Sequence, residues 1–253
     1  MASVTHRIKE ISQPRGGYLK PKEFKVEALN DNAEMYPEEN ISGSLVGLSV
    51  DYLTRYSMGT PLEDAFQVSL WGATKIGELD YALQLLAQIS GLDDKSIANA
   101  CKLTGYDVCF RAGVMWYKPV QDIAPDLATI SNIRTMVKRS VAFWKRYGPI
   151  VKDGFTFEGG YTEIITSGDG DFLTADTLWD FKVSNKPPTN VNTLQLLVYY
   201  IMGQHSIHKE FRNIKKIGFF NPRLGQVYTL DVSSISPEII RDVSSNVIGY
   251  KTT

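Results

Sequence analysis

Between Gly168 and Tyr200 the chain reads GDGDFLTADTLWDFKVSNKPPTNVNTLQLLVYY. Two short apolar runs, a turn, a Pro-containing loop and an apolar helix follow one another there. Asp180 and Lys182 lie two residues apart in a segment that reads as a strand through Leu178, Trp179, Phe181 and Val183. Side chains alternate along a strand, so the carboxylate and the ammonium share one face while Trp179 and Phe181 go to the other. Asp171 lies nine residues before Asp180 on the preceding strand, with Thr174-Ala175-Asp176 as the expected turn. Paired as a hairpin, these strands bring Asp171 and Asp180 close enough to share a divalent cation.

The rest of the chain organises around this stretch. Residues 1–40 are polar and irregular and read as an N-terminal arm. The segment PRGGYLKPKEFKV in it is expected to be a solvated lead-in with one short strand, with phosphate contact as the alternative. Residues 41–131 read as a helical subdomain. Ser42 to Met58 repeats apolar residues near a 3.6 period, and Gly59 ends it. Thr60-Pro61-Leu62-Glu63 reads as a capping box opening a helix to about Ile76. Leu79 to Ile89 is a further helix, and Asp93 or Asp94 caps another through Leu103. Trp71 and Trp116 are expected in the core.

Residues 132–253 form the last expected unit. The helix Asn132 to Tyr147 carries one apolar stripe, with Arg134, Lys138 and Lys145 on the far side and Arg139 and Arg146 nearby. Such a face is usually solvated, with nucleic-acid contact as the alternative. Strands follow at Phe155 to Ile165, Asp169 to Leu173 and Leu178 to Val183. A helix from Asn190 to Gly203 and strands at Lys216 to Asn221 and Gln226 to Val232 come next, and Pro237 opens a C-terminal helix. The order from residue 132 is therefore α-β-β-β-α-β, in an α+β protein with a mixed central sheet.

A net charge of −1 gives no global basic field, so nucleic-acid binding must rest on local patches. Cys101 and Cys109 fit neither a disulfide scaffold nor a zinc pattern and read as buried thiols. No signal-peptide core stands at the N-terminus, and no apolar run approaches the about 18–20 residues that span a bilayer. The expectation is a soluble cytoplasmic protein with no membrane partner.

The Asp pair has a chemical rationale. Oxygen-only ligation by Asp171, Asp180 and the main-chain carbonyl of Phe181 favours a hard ion such as Mg²⁺ or Mn²⁺. A cation so held lowers the pKa of water and clamps phosphate oxygens. Lys182, one strand-step away, can orient the attacking water or offset transition-state charge.

Residues 132–221 resemble the PD-(D/E)XK nuclease superfamily, and within it the RecB-like branch. The resemblance rests on G-x-x-D at Gly168-Asp169-Gly170-Asp171, D-x-K at Asp180-Phe181-Lys182 and Q-x-x-x-Y at Gln195-Leu196-Leu197-Val198-Tyr199, on elements in the superfamily's α-β-β-β-α-β order. It implies a restriction-endonuclease-like core and a Mg²⁺- or Mn²⁺-dependent deoxyribonuclease acting on DNA. Asp171 and Asp180 would be metal ligands and Lys182 the catalytic lysine. Gln195 and Tyr199, one helical turn apart, would support the site or contact nucleic acid. The family often places a further acid on the helix before the first strand. That helix has none here, and Glu158 or Glu163 stands as the substitute. A helicase or other protein subunit is a further expected partner.

Other candidates are weaker. His205-x-x-His208 lacks a third metal ligand and reads as surface. Asp169-Gly170-Asp171 lacks the later ligands of a calcium loop. Lys209, Arg212, Lys215 and Lys216 can follow a phosphate backbone or simply be solvated. Rival readings are a retired nuclease fold that binds nucleic acid without cutting it, and a helical interaction subunit of a nuclease or helicase complex.

Overall fold

The computed structural model describes residues 2–29, 31 and 33–251. The protein is α+β, with a six-stranded mixed sheet and no barrel among the described residues. Contacts divide it into two units, Met1–Leu29 with Phe143–Thr253, and Asn30–Ala142. In chain order the first segment gives β1 (Ala2–Ser3), α1 (Val4–Glu10) and β2 (Lys25–Ala28). The helical unit gives α2 (Gly43–Ser57), α3 (Leu62–Ala65), α4 (Gln67–Lys75), α5 (Leu79–Leu86), α6 (Asp94–Thr104) and α7 (Asp107–Arg111). Helix α8 (Leu127–Tyr147) leads to β3 (Lys152–Phe155), β4 (Ile165–Ser167), β5 (Gly170–Leu173) and β6 (Thr177–Phe181). Then come α9 (Asn190–His205), β7 (Lys216–Asn221), β8 (Gln226–Asp231) and α10 (Pro237–Asp242).

In the helical unit, Ser42 caps α2 by accepting from the Leu45 amide, and Asp93 Oδ1 caps α6 through the Ser96 amide at 3.0 Å. The expected capping box at Thr60 does not form. Pro61 takes the N-cap position without a side-chain bond, and the single expected helix breaks at Phe66 into α3 and α4. Phe66 is fully buried with its ring 5.3 Å from that of Tyr52, so packing overrides helical continuity there. Trp71 and Trp116, expected in the core, are 46% and 65% exposed. Helix α8 starts five residues before the expected Asn132, because Asp126 Oδ1 accepts from the Thr129 amide at 2.8 Å and caps it.

The expected basic face of α8 is largely paired within the units. Arg139 is 7% exposed and holds Asp31 through two bonds of 2.6 and 2.9 Å. Arg134 donates to the Leu92 carbonyl at 2.7 Å, and Arg146 pairs with Glu27. Lys138 and Lys145 are exposed, with no ion pair among the described residues.

The main sheet runs in the order β2-β8-β7-β6-β5-β3. Strands β3, β5 and β6 form an antiparallel meander, α9 crosses over to β7 parallel to β6, and β8 and β2 extend the sheet antiparallel. Residues 25–28 of the expected arm thus supply an edge strand, with Lys25 opposite Thr229. The expected strand Phe155 to Ile165 is instead two. Strand β3 ends at Phe155, the chain loops through Gly159 at φ +85°, and β4 pairs in parallel with β1 as a separate two-stranded sheet. Gly160 explains the break: a Cβ there would stand 2.4 Å from the Met202 carbonyl oxygen, so the loop presses its backbone onto α9.

Alternation along the strands gives the sheet two apolar faces. Leu173, Leu178, Ile217 and Phe219 pack beneath Leu194, Leu197, Val198 and Ile201 of α9. Phe172, Trp179 and Phe220 face the opposite way and meet Phe143 and Trp144 of α8. The Phe143 ring stacks on Phe220 at 4.2 Å and meets Trp179 edge-on at 4.9 Å. Trp179 lies opposite Gly218 in register, and a Cβ at Gly218 would stand 2.5 Å from the indole and 2.7 Å from the Tyr228 carbonyl oxygen. Gly218→Ala is therefore expected to cost about 1–3 kcal/mol through overpacking. Gly47→Ala, a site in α2 with open space around it, is expected to gain about 0.5–1 kcal/mol from helix propensity. Urea midpoints of the two variants check this; a Gly218→Ala midpoint at or above wild type refutes the packing argument.

Candidate active site

The β5–β6 register pairs Phe172 with Trp179 and Leu173 with Leu178. The next pair outward is Asp171 and Asp180, and alternation turns both toward α9, the face that Leu173 and Leu178 also take. The turn between the strands is closed by the Thr174 amide donating to the Thr177 carbonyl at 2.9 Å. Asp171 Oδ2 accepts from the Phe181 amide at 2.8 Å, which ties the first carboxylate to the strand holding the second. Phe181 turns its ring the other way, among Phe143, Trp144 and Phe220.

Asp180 is 3% exposed. The Lys182 ammonium lies 3.0 Å from its Oδ1 and 2.9 Å from its Oδ2. Only the Oδ1 approach has the direction of a hydrogen bond, and Oδ2 is buried without a hydrogen-bond partner. From Lys182 the chain of contacts continues into α9. Its ammonium lies 3.4 Å from Gln195 Oε1, and Gln195 Nε2 donates to the Tyr199 hydroxyl at 2.8 Å. Gln195 and Tyr199 are themselves buried. All five expected site side chains, Asp171, Asp180, Lys182, Gln195 and Tyr199, therefore stand on the inner faces of one hairpin and one helix.

The electrostatics follow from burial. Desolvation pushes the Asp180 carboxyl above its ordinary range, against the pull of the Lys182 charge and hydrogen bond. Burial draws the Lys182 ammonium down, but the charge and hydrogen bond of Asp180, and then the charge of Asp171, carry it above its ordinary value. Desolvation also raises the Tyr199 hydroxyl, with the charges of Asp180, Asp171 and Asp169 adding to it. Asp169 thus shares the field of the pair. Asp169 lies two residues before Asp171, just outside β5, and is exposed.

Asp171 and Asp180 are the two carboxylates that fit a hard cation. The buried Asp180 carboxylate, which the Lys182 ammonium faces within 3.0 Å at both oxygens, is the group such an ion would share. The substitute acids lie elsewhere: Glu158 pairs with His208 at 3.0 Å and also bonds Thr156, and Glu163 is exposed. Among the described residues no three His, Cys, Asp or Glu side chains gather closely enough to form a metal cluster by themselves. His205 stacks on the Tyr250 ring at 4.1 Å, apart from His208 in role. Both cysteines are free and buried, and burial pushes the Cys101 thiol up to about 11. No helix among the described residues is long and apolar enough to cross a membrane.

Compared with known protein families, curated proteins and solved structures, the chain matches none.

Removing Lys182 leaves Asp180 as a buried charge without a partner. Lys182→Ala is expected to cost roughly 2–4 kcal/mol at neutral pH, under the about 3–5 kcal/mol of a fully buried pair because 29% of the lysine side chain is exposed. Mn²⁺ should raise the variant's melting temperature more than that of wild type. The folded pKa of Asp180 is raised, so protonation favours the folded state, and the charge penalty is absent at low pH and grows as pH rises through that value. Both the deficit and the Mn²⁺ rescue should therefore shrink as the solution is acidified, starting above the ordinary carboxylate range. A pH-independent deficit in a melting series would refute this account of the pair.

Proposed function

We propose that the chain is a Mg²⁺- or Mn²⁺-dependent nuclease that hydrolyses phosphodiester bonds in DNA, its sheet unit built on the RecB-like PD-(D/E)XK plan. The observation that carries the reading is the convergence of Asp171, the buried Asp180 and Lys182 at one end of the β5–β6 hairpin.

Asp171, Asp180 and the Phe181 carbonyl would hold the ion. When bound, the ion supplies Lewis acidity toward water and a counter-charge for the phosphate. Before any ion binds, Asp180 and then Asp171 hold the Lys182 ammonium above its ordinary value, against the pull of burial. From that place it orients the attacking water and offsets charge as the oxygen–phosphorus bond forms and the leaving oxygen departs. Gln195 is a positioning residue for Lys182, and Tyr199 holds Gln195. Charge supports a polyanionic substrate on this unit. Residues 1–29 and 143–253 carry 18 Lys and Arg against 14 Asp and Glu, net +4, while residues 30–142 carry 9 against 14, net −5.

The test is cleavage of linear, circular and single-stranded DNA, and of RNA, with Mg²⁺, Mn²⁺ or EDTA. Wild type is expected to cut DNA only with metal. Asp180→Ala and Lys182→Ala should each lose at least 100-fold in rate, the scale of one lost electrostatic contact. Gln195→Ala should lose less, with its deficit growing as pH rises, because its Oε1 accepts from the Lys182 ammonium and favours the charged form. Equal cutting by wild type and Asp180→Ala, or no cutting together with no metal-induced stabilisation, rules the proposal out.

A further inference from the structure

The helical unit leaves two apolar surfaces uncovered, and their rims carry opposite charge. One is a tip formed where α4 packs on α7 and the turn after it. Met115 is 84% exposed and Trp116 65% in the turn after α7, and Trp71 of α4 and Phe110 of α7 are exposed too, their rings 5.1 Å apart. Lys75 sits over the Phe110 ring at 4.7 Å and reaches the Phe110 carbonyl at 3.5 Å, and Lys118 is exposed, with no ion pair among the described residues. From Val108 to Gln121, and along the whole of α4, there is no acidic residue. The tip is held rather than loose: Tyr117 stacks on Tyr106 at 5.8 Å, and both hydroxyls donate to Glu78, at 2.8 and 2.7 Å.

The other surface is an open groove of about 480 Å³ between the start of α3 and the end of α5. Leu62, Leu83, Leu86 and Ala87 line it, and Leu83 is 40% exposed. Its rim carries Glu63 and Asp64, both exposed and neither in an ion pair among the described residues. The groove is within the about 300–1,000 Å³ that takes a drug-sized ligand, the bulk of one or two large side chains.

We propose that the tip of one copy of this chain docks in the groove of another, Met115 and Trp116 entering between Leu62 and Leu83 while Lys75 and Lys118 face Glu63 and Asp64. Exposed aromatic and Met anchors, fixed in place beforehand, are the side chains that dominate docking surfaces. Large apolar patches on a unit of net charge −5 call for a cover, and the complementary rim selects the groove over a polyanion. Tip and groove share no residue, so the contact is head-to-tail: each copy uses one surface to bind and leaves the other open. The inference does not depend on the nuclease reading.

Sedimentation velocity tests it. Wild type is expected to associate beyond a dimer as its concentration rises, and high salt should weaken the association. Met115→Asp and Leu83→Asp, both at exposed positions, should each be folded by circular dichroism and associate at least tenfold more weakly. Mixed in equal amounts they should form a one-to-one dimer and nothing larger, since one keeps a working groove and the other a working tip. Lys118→Glu should weaken association, and adding Glu63→Lys in the same chain should restore it. A wild type that stays monomeric up to about 0.1 mM, a concentration that reveals even weak specific contacts, overturns the proposal. So does association that survives both single variants, or a mixture that stays monomeric.

Discussion

The sheet unit is built around a carboxylate in a place that disfavours it. Asp180 stands on β6 with α9 above and the aromatic layer behind, 3% exposed. Moving a charge into such a setting costs several kcal/mol unless partners meet it, and Lys182 is the partner present. A well-packed apolar pair of similar volume would hold β6 to β7 at least as firmly. Stability alone therefore does not account for Asp180, Lys182 and a second carboxylate on one hairpin face.

The opposite face explains how so strained a choice of residue is kept in place. Phe143 stacks on Phe220, abuts Trp179 edge-on and lies within 6.4 Å of Phe181, so the aromatic neighbours of Asp180 are clamped from behind. The Trp179 indole donates to Thr174 Oγ1 at 3.1 Å, which locks the hairpin turn to the same cluster. With Asp171 bonded to the Phe181 amide, the two carboxylates cannot separate without disturbing both the strand pairing and the aromatic layer. Preorganisation of this kind is what a site on strands offers over one on loops.

The legible part of the structure was the part with local period. Alternation alone placed Asp180 and Lys182 together and sent Trp179 and Phe181 behind them, and the turn at Thr174 gave the register that sets Asp171 beside Asp180. Helix α9 was visible from its apolar spacing. The features that escaped are decided by distant partners. One short strand was expected in the stretch that holds β2, but its place in the main sheet escaped, because Lys25 to Ala28 meet Thr229 to Gln226, some two hundred positions on. The break at Phe66 comes from a ring that Tyr52 receives, and the loop after Phe155 from a glycine pressed on α9. Trp71 and Trp116 misled for the same reason: periodicity and size suggest burial, but among the described residues no element covers them.

Net charge hides as much as it reveals. A total of −1 is the sum of +4 on the sheet unit and −5 on the helical unit, and the average conceals which of them a polyanion would approach. Within the units, moreover, many of the cations are already engaged. Arg134, Arg139 and Arg146 of α8 serve Leu92, Asp31 and Glu27, so the basic face visible in the sequence is mostly structural. In the helical unit Lys75 reaches the Phe110 carbonyl and lies over its ring, while Lys118 is exposed. Electrostatic reading of a sequence therefore becomes informative only after the internal pairs have been subtracted, because a paired surface charge adds little to the field a ligand meets.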